Sequence, residues 1–411
     1  MSSTIIIALC TLMLMAYLFD LTSSKTRIPS VILLLLLGWI VRQITIFLGI
    51  HLPDFSSTLP ELGTLGLILI VLEGSLELEL NKSKIVLITK SLFGTIISML
   101  VLSIVIANIF HYFWHYSLRY CLINAIPFCI ISSAIAIPST RNQVNSIREY
   151  TVYESSFSDI LGVLFFTFIT MNETYTLLSV GHFSQQILIM IGISFITTIG
   201  LSFLLSKIEH HIKFFPIIIL IILIYYISKI YHLPALIFIL LFGLFLGNIE
   251  KLEFFKWAHR IHLDILNKEV HRFKAYTYET SFIIRALFFL LFGYMIETAE
   301  ILNSESIIWA LGIVIIIFAL RALQLKLSGL SWKPLLFLAP RGLITILLFL
   351  SILPSQQIPL VNQSLIIQVI LITAIIMMTG LMFTKNKNNE ETLPHNLQHI
   401  VQGNKETTRL P

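Results

Sequence analysis

Apolar residues fill this chain in long blocks, and polar residues gather in the short joints between them. A helix needs about 20 residues to cross a hydrocarbon core of about 30 Å at about 1.5 Å per residue. By that measure the pattern predicts thirteen membrane-crossing helices, near residues 4–19, 29–50, 61–80, 85–110, 118–140, 150–171, 183–206, 213–230, 233–249, 278–297, 305–323, 333–353 and 362–383. The eighth and ninth are short and meet around Tyr231–Pro234.

The charged residues in the joints give the segments a direction. Lys25 and Arg27, Lys82 and Lys84, Arg141 and Arg148, and Lys207 and Lys213 follow the first, third, fifth and seventh segments. A basic stretch, 250–277, follows the ninth, and further lysines follow the eleventh and the last. The alternate joints hold almost no Lys or Arg, apart from Arg119 and Lys229. Positive loops stay in the cytoplasm, so the N-terminus is expected outside and the C-terminus inside, in a bacterial inner membrane. The 250–277 loop reads either as a solvated connector or as a helix lying on the anionic leaflet. Residues 384–411 are polar and read as a cytoplasmic tail.

Composition agrees and excludes other classes. The 411 residues are 56% hydrophobic and 12% charged. Mean hydropathy is +0.90. The net charge of +5 sits in the joints, so it reports topology and not a nucleic-acid partner. Cys10, Cys121 and Cys129 lie in or near apolar blocks, which argues against a disulfide framework and a clustered metal site. Residues 4–19 lack a basic leader and a cleavage site, so they read as a retained helix.

An odd count with a bridging seventh segment (183–206) permits two inverted six-helix repeats, 4–171 and 213–383, a plan common among secondary transporters. Such a plan predicts a broken helix at the fifth position of each half. The fifth segment carries "ISSAIAIPST", with Ser132, Ser133, Ala136 and Pro138; the twelfth carries "FLAPRGLIT", with Pro340 and Arg341. A plain proline kink in each is the alternative, since membrane helices tolerate one.

Ionisable groups within spans are costly, and so mark function. Asp159 falls near mid-depth in the sixth segment, with Ser155 one turn earlier on the same face. Glu154 is five residues from Asp159 and points elsewhere. Ser158 and Gly162 leave room for a close neighbour. Glu73 lies near mid-depth in the third segment. Arg321, in the eleventh segment, matches the depth of Glu154; Arg285, in the tenth, is the rival partner. Arg341 could neutralise facing helix ends, and each arginine could instead snorkel to the interface. His111 and His115 sit four apart among aromatics, where interfacial belt residues are expected. No HExxH and no Gly-x-Ser-x-Gly elbow occurs, which argues against an intramembrane enzyme.

"ESSFSD" (154–159) resembles the "ESxxND" signature of the cation/proton antiporter superfamily, on its sodium/proton exchanger branch. "IPSVILLLLLGWIVR", "LEGSLEL", "FALRAL" and "APRGLITILLFLS" resemble further segments of that family, in order, over residues 1–383. The resemblance implies an all-α polytopic fold with crossed, discontinuous fifth and twelfth helices, usually as a homodimer. It implies that Asp159 alternately binds a cation and a proton, that Glu73 and Ser155 help hold the ion, and that Glu154 pairs with Arg321 structurally. Two departures stand out: Ser158 replaces the family's Asn, and Ala136-Ile137-Pro138 replaces its Thr-Asp-Pro. Ion ligands at the break must then come from carbonyls or from Ser132, Ser133, Ser139 and Thr140. The expected activity is exchange of Na⁺ or K⁺ for H⁺, with no resident cofactor. Neutral Ser158 favours one-for-one stoichiometry. A transporter of an anionic solute, with Arg341 as its anchor, is the alternative.

Overall fold

The computed structural model describes residues 2–26, 28–50, 55, 57–78, 80, 84–140, 143–172, 177–207, 213–249 and 263–384. Among these every regular element is helical. In order they are α1 (Ser2–Thr26), α2 (Ser30–Phe47), α3 (Thr58–Glu77), α4 (Ile85–Trp114), α5 (Leu118–Ala125), α6 (Ser133–Ser139), α7 (Asn145–Met171) and α8 (Leu177–Lys207). There follow α9 (Phe214–Ile230), α10 (Leu236–Gly247), α11 (Leu263–Met295), α12 (Thr298–Ile301), α13 (Ser304–Leu327), α14 (Leu343–Leu350) and α15 (Gln363–Phe383). Among the described residues ten stretches are long and apolar enough to cross a membrane, and α9 and α10 are shorter apolar helices.

Two stretches abandon the helix inside the fold. After α5 the chain makes a 3₁₀ turn, Ile126–Cys129, then runs extended before α6. After α13 it passes through turns and extended backbone until α14 begins at Leu343. The two stretches cross, and the Ser132 amide donates to the Pro340 carbonyl at 2.9 Å. The second break therefore keeps only one helical half, α14, where a matched pair of half-helices was expected.

The helices gather into two groups. In one, α11 lies along α2 and α3, and α10 packs between α3 and α8. In the other, α7 packs on α4 and α6, and α13 on α15. The α2–α11 contact is close because small residues line it from both sides. A Cβ on Gly38 would collide with the Leu290 carbonyl, and one on Gly293 with the Leu35 carbonyl.

The basic stretch expected to be a loop is partly helix. α11 begins at Leu263, so residues 263–277 form its first turns; residues 250–262, like 385–411, lie outside the described residues. Lys213 binds Glu269 there at 2.6 Å, and Arg272 binds it at 3.2 Å, which carries the helix beyond the apolar block. The two out-of-place basic residues also find sites. Arg119 donates to the Thr170 carbonyl at 2.8 Å, at the end of α7, where carbonyls lack helical partners. Lys229 stands in the last turn of α9. Arg42 of α2 binds Glu297 at 2.8 Å and the Met295 carbonyl at 2.9 Å.

Candidate functional site

α7 carries both acids of "ESSFSD", and both are buried, Glu154 to 1% exposure and Asp159 to 2%. Their surroundings differ completely. Glu154 faces α13, where both Arg321 NH groups meet its carboxylate, one at 2.7 Å and the other closer still. Tyr150, one turn back on α7, donates to Glu154 at 3.1 Å, and Gln324 of α13 donates at 3.2 Å. Arg321 also donates to the Leu335 carbonyl in the irregular stretch before α14. A buried charge pair persists when its remaining donors and acceptors are met, and here they are.

Asp159 faces the first break. Its Oδ2 accepts from the Ser133 hydroxyl and from the Ser133 amide, the latter at 3.3 Å. Ser133 opens α6, so this amide is one that its helix leaves unpaired. Asp159 Oδ1 is buried and has no hydrogen-bond partner. An unmet buried polar atom costs about 1–3 kcal/mol, and more when charged. Among the described residues Asp159 is thus a carboxylate with one oxygen anchored and one without a hydrogen-bond partner.

Ser158 holds the break in place: its Oγ accepts from the Ile131 amide at 2.9 Å. Gly162 lets Ile130 lie against α7, where a Cβ would collide with it. Arg341 serves the other half of the crossing, donating to the Phe128 carbonyl at 2.6 Å and to Ala339 at 3.1 Å. It thereby ties carbonyls of both irregular stretches together. Ala136 is fully buried and packs with Ile131 and Ala339.

Several expected neighbours are placed differently. The Ser155 hydroxyl is buried and donates to the Thr151 carbonyl at 2.7 Å, not to Asp159. Ser139 and Thr140 likewise donate to carbonyls of their own turn. Ser132 packs beneath Gly342 at the crossing. Glu73 is the sixteenth of the twenty residues of α3, one turn from its end and not at its middle. It accepts from Ser281 of α11 at 2.5 Å. Arg285 does not take Glu154. It lines a cavity of about 50 Å³ together with Glu73, Glu77, Arg148, Ser133 and Pro138. That space exceeds the roughly 10–15 Å³ one water needs. Ser133 belongs to both places, so it joins the cavity to Asp159. Gly74, next to Glu73, faces Ser156 of α7, which brings α3 close to the acid-bearing helix.

Sequence reasoning missed Tyr150, Gln324 and Ser281. Spacing held the signal for two of them: Tyr150 is four residues before Glu154, and Gln324 is three after Arg321. Ser281 gave none, because only packing brings α11 to Glu73.

Residues 9–385 match the family described as sodium/hydrogen exchanger, transmembrane. The chain belongs to that family. It is a multi-pass integral membrane protein of the cation/proton antiporter superfamily, a family of transporters and not of enzymes. Its fold is that of the sodium proton antiporter MjNhaP1 from Methanocaldococcus jannaschii. The structure of that protein at pH 8 aligns with TM-score 0.64 and 19% identity, over 92% of this chain and 96% of the other. An electron-microscopy map of the same antiporter aligns with TM-score 0.65 and 18% identity, over 92% and 94%. No curated protein matches the chain in a sequence search.

Proposed function

We propose that this family member exchanges a monovalent cation, Na⁺ in the first place, for H⁺, one for one, at Asp159. The observation that carries the reading is the half-anchored carboxylate: Ser133 fixes Oδ2, while Oδ1 is buried and unpartnered. Burial disfavours a bare carboxylate, so a neutralising partner is required. A proton or a hard cation can fill that role, and they exclude each other. Coupling then needs no further machinery.

Ser155 and Glu73 are the proposed auxiliary ligands. A hydroxyl that donates to Thr151 keeps lone pairs for a cation. Glu73 supplies negative charge to the cavity that leads to Ser133, and Arg285 opposes it there. Ser158 is neutral and occupied with Ile131, which supports a single exchangeable charge. Arg341 is turned to carbonyls, which weighs against an anionic solute.

Exchange across a membrane requires Asp159 to meet each side in turn. We infer alternating access, with the α7 group moving against the α2–α3–α11 group. Loop charge supports an outside N-terminus and a cytoplasmic C-terminus; the proposed location is a bacterial inner membrane. A homodimer follows from the family resemblance. The decisive experiment measures cation-driven H⁺ movement in proteoliposomes with Na⁺, K⁺ and Li⁺, with and without a clamped voltage. Asp159→Asn is expected to reduce exchange to the empty-liposome level. Exchange at the wild-type rate in that variant would place the site elsewhere.

A further inference from the structure

The Met171 end of α7, opposite the Arg148 end that borders the Glu73 cavity, lines a second and larger cavity of about 270 Å³. Leu164 and Met171 of α7 form one wall, and Leu233 and Leu236, at the start of α10, form another. Lys229 and His232 stand at its edge. Among the described residues no acid lines it, which sets it apart from the cation site. Met171, Lys229 and His232 are exposed, so the cavity opens at the protein surface.

The two basic residues share one tight turn. The His232 amide donates to the Lys229 carbonyl at 3.0 Å, and His232 takes the left-handed backbone, with φ of 55°. Lys229 lies 6.0 Å over the Tyr226 ring. A lysine in the last turn complements the helix dipole. That accounts for its charge, but not for the apolar hollow beneath it. The two arginines on this sparsely charged side are both occupied, Arg119 with the carbonyls that end α7 and Arg42 with Glu297 and the Met295 carbonyl. The hollow also falls where the two helix groups meet, since α7 packs on α4 and α6 while α10 packs on α3 and α8.

We propose that this cavity binds a phospholipid of the surrounding bilayer, its acyl chain against Leu164, Leu233 and Leu236 and its anionic headgroup on Lys229 and His232. Apolar walls at a membrane protein's surface match an acyl chain. A lysine with a ring N–H beside it matches a phosphate carrying net negative charge, such as phosphatidylglycerol. The site stands apart from the transport reading, because none of the residues that line the Glu73 cavity lines it.

Native mass spectrometry of the delipidated full chain tests this directly. The protein is titrated with phosphatidylglycerol and with phosphatidylcholine of identical chains, and affinity for the first lipid bound is read. Phosphatidylglycerol is expected to bind roughly five- to tenfold tighter, as two basic contacts near a headgroup imply. Combining Lys229→Gln with His232→Asn should bring the two lipids within about twofold of each other. Leu164→Trp, which fills the hollow, should weaken both lipids together. Should that variant not fold, Met171→Trp at the exposed rim applies the same criterion. Equal binding of the two lipids to wild type, a preference that survives loss of both basic groups, or unchanged affinity in the filled variant would each overturn the proposal.

Discussion

One turn and a half of α7 separates two buried carboxylates with opposite surroundings. Glu154 is saturated: an arginine fork, a tyrosine hydroxyl and a glutamine amide converge on it from its own helix and from α13. Asp159 is held through one oxygen by a helix start, and its other oxygen meets nothing. The sequence writes both as single acids in an apolar block. What differs is the neighbouring backbone. Regular helix at α13 delivers a long side chain to Glu154, whereas the backbone that restarts after the first break delivers the Ser133 amide and its short hydroxyl to Asp159. A saturated charge fixes structure; a half-met one leaves a bond to be made.

The sharpest way to break this contrast is to neutralise each acid in turn. Asp159→Asn should abolish exchange in proteoliposomes while the protein melts as wild type does. Removing one partner of a buried pair costs about 3–5 kcal/mol. Arg321→Ala should therefore lower the melting temperature and the yield of folded protein, as read by fluorescence-detected size exclusion. If Arg321→Ala melts normally and only transport fails, the assignment of Glu154 as structural is wrong.

Ser133→Ala separates anchoring from ligand binding. It removes a charge-assisted bond, worth about twice a neutral one, yet leaves the carboxylate. Transport efficiency should fall about tenfold, with folding unchanged, in a KM series over cation concentration.

The smallest expected effect lies far from the site and serves as a control. Burial raises the Glu300 carboxyl above its ordinary range, and Glu297 adds to this; the Glu297 amide and Arg42 oppose it. A raised native value means that the protonated form favours the fold. Its contribution is present at low pH and lost as pH rises through the raised value. Glu300→Gln should flatten that slope in a melting-versus-pH series and leave the cation dependence of exchange unaltered.

Run length alone sufficed to mark the chain as a bundle of membrane-crossing helices, because apolar segments near the bilayer thickness have few other uses. Proline and glycine within such runs also pointed to a break in each half, since they release backbone groups that something else must satisfy; the first break itself lies at residues 126–132, and Pro138 is accommodated inside α6. Less legible was where a span stops. α11 runs some four turns into what composition marks as a loop, because Lys213 and Arg272 neutralise Glu269 there.

Sequence by itself determined that this chain lies in a membrane, where its long apolar runs are interrupted by proline, and that one run holds two acids, at positions 154 and 159. Only the tertiary structure decided which of them is spoken for. Spacing along a helix states which face a residue occupies, but partners come from elsewhere in the chain: Ser133 lies 26 residues from Asp159, and Arg321 lies 167 from Glu154. Contacts across such separations are set by packing of whole helices, and no local pattern encodes them.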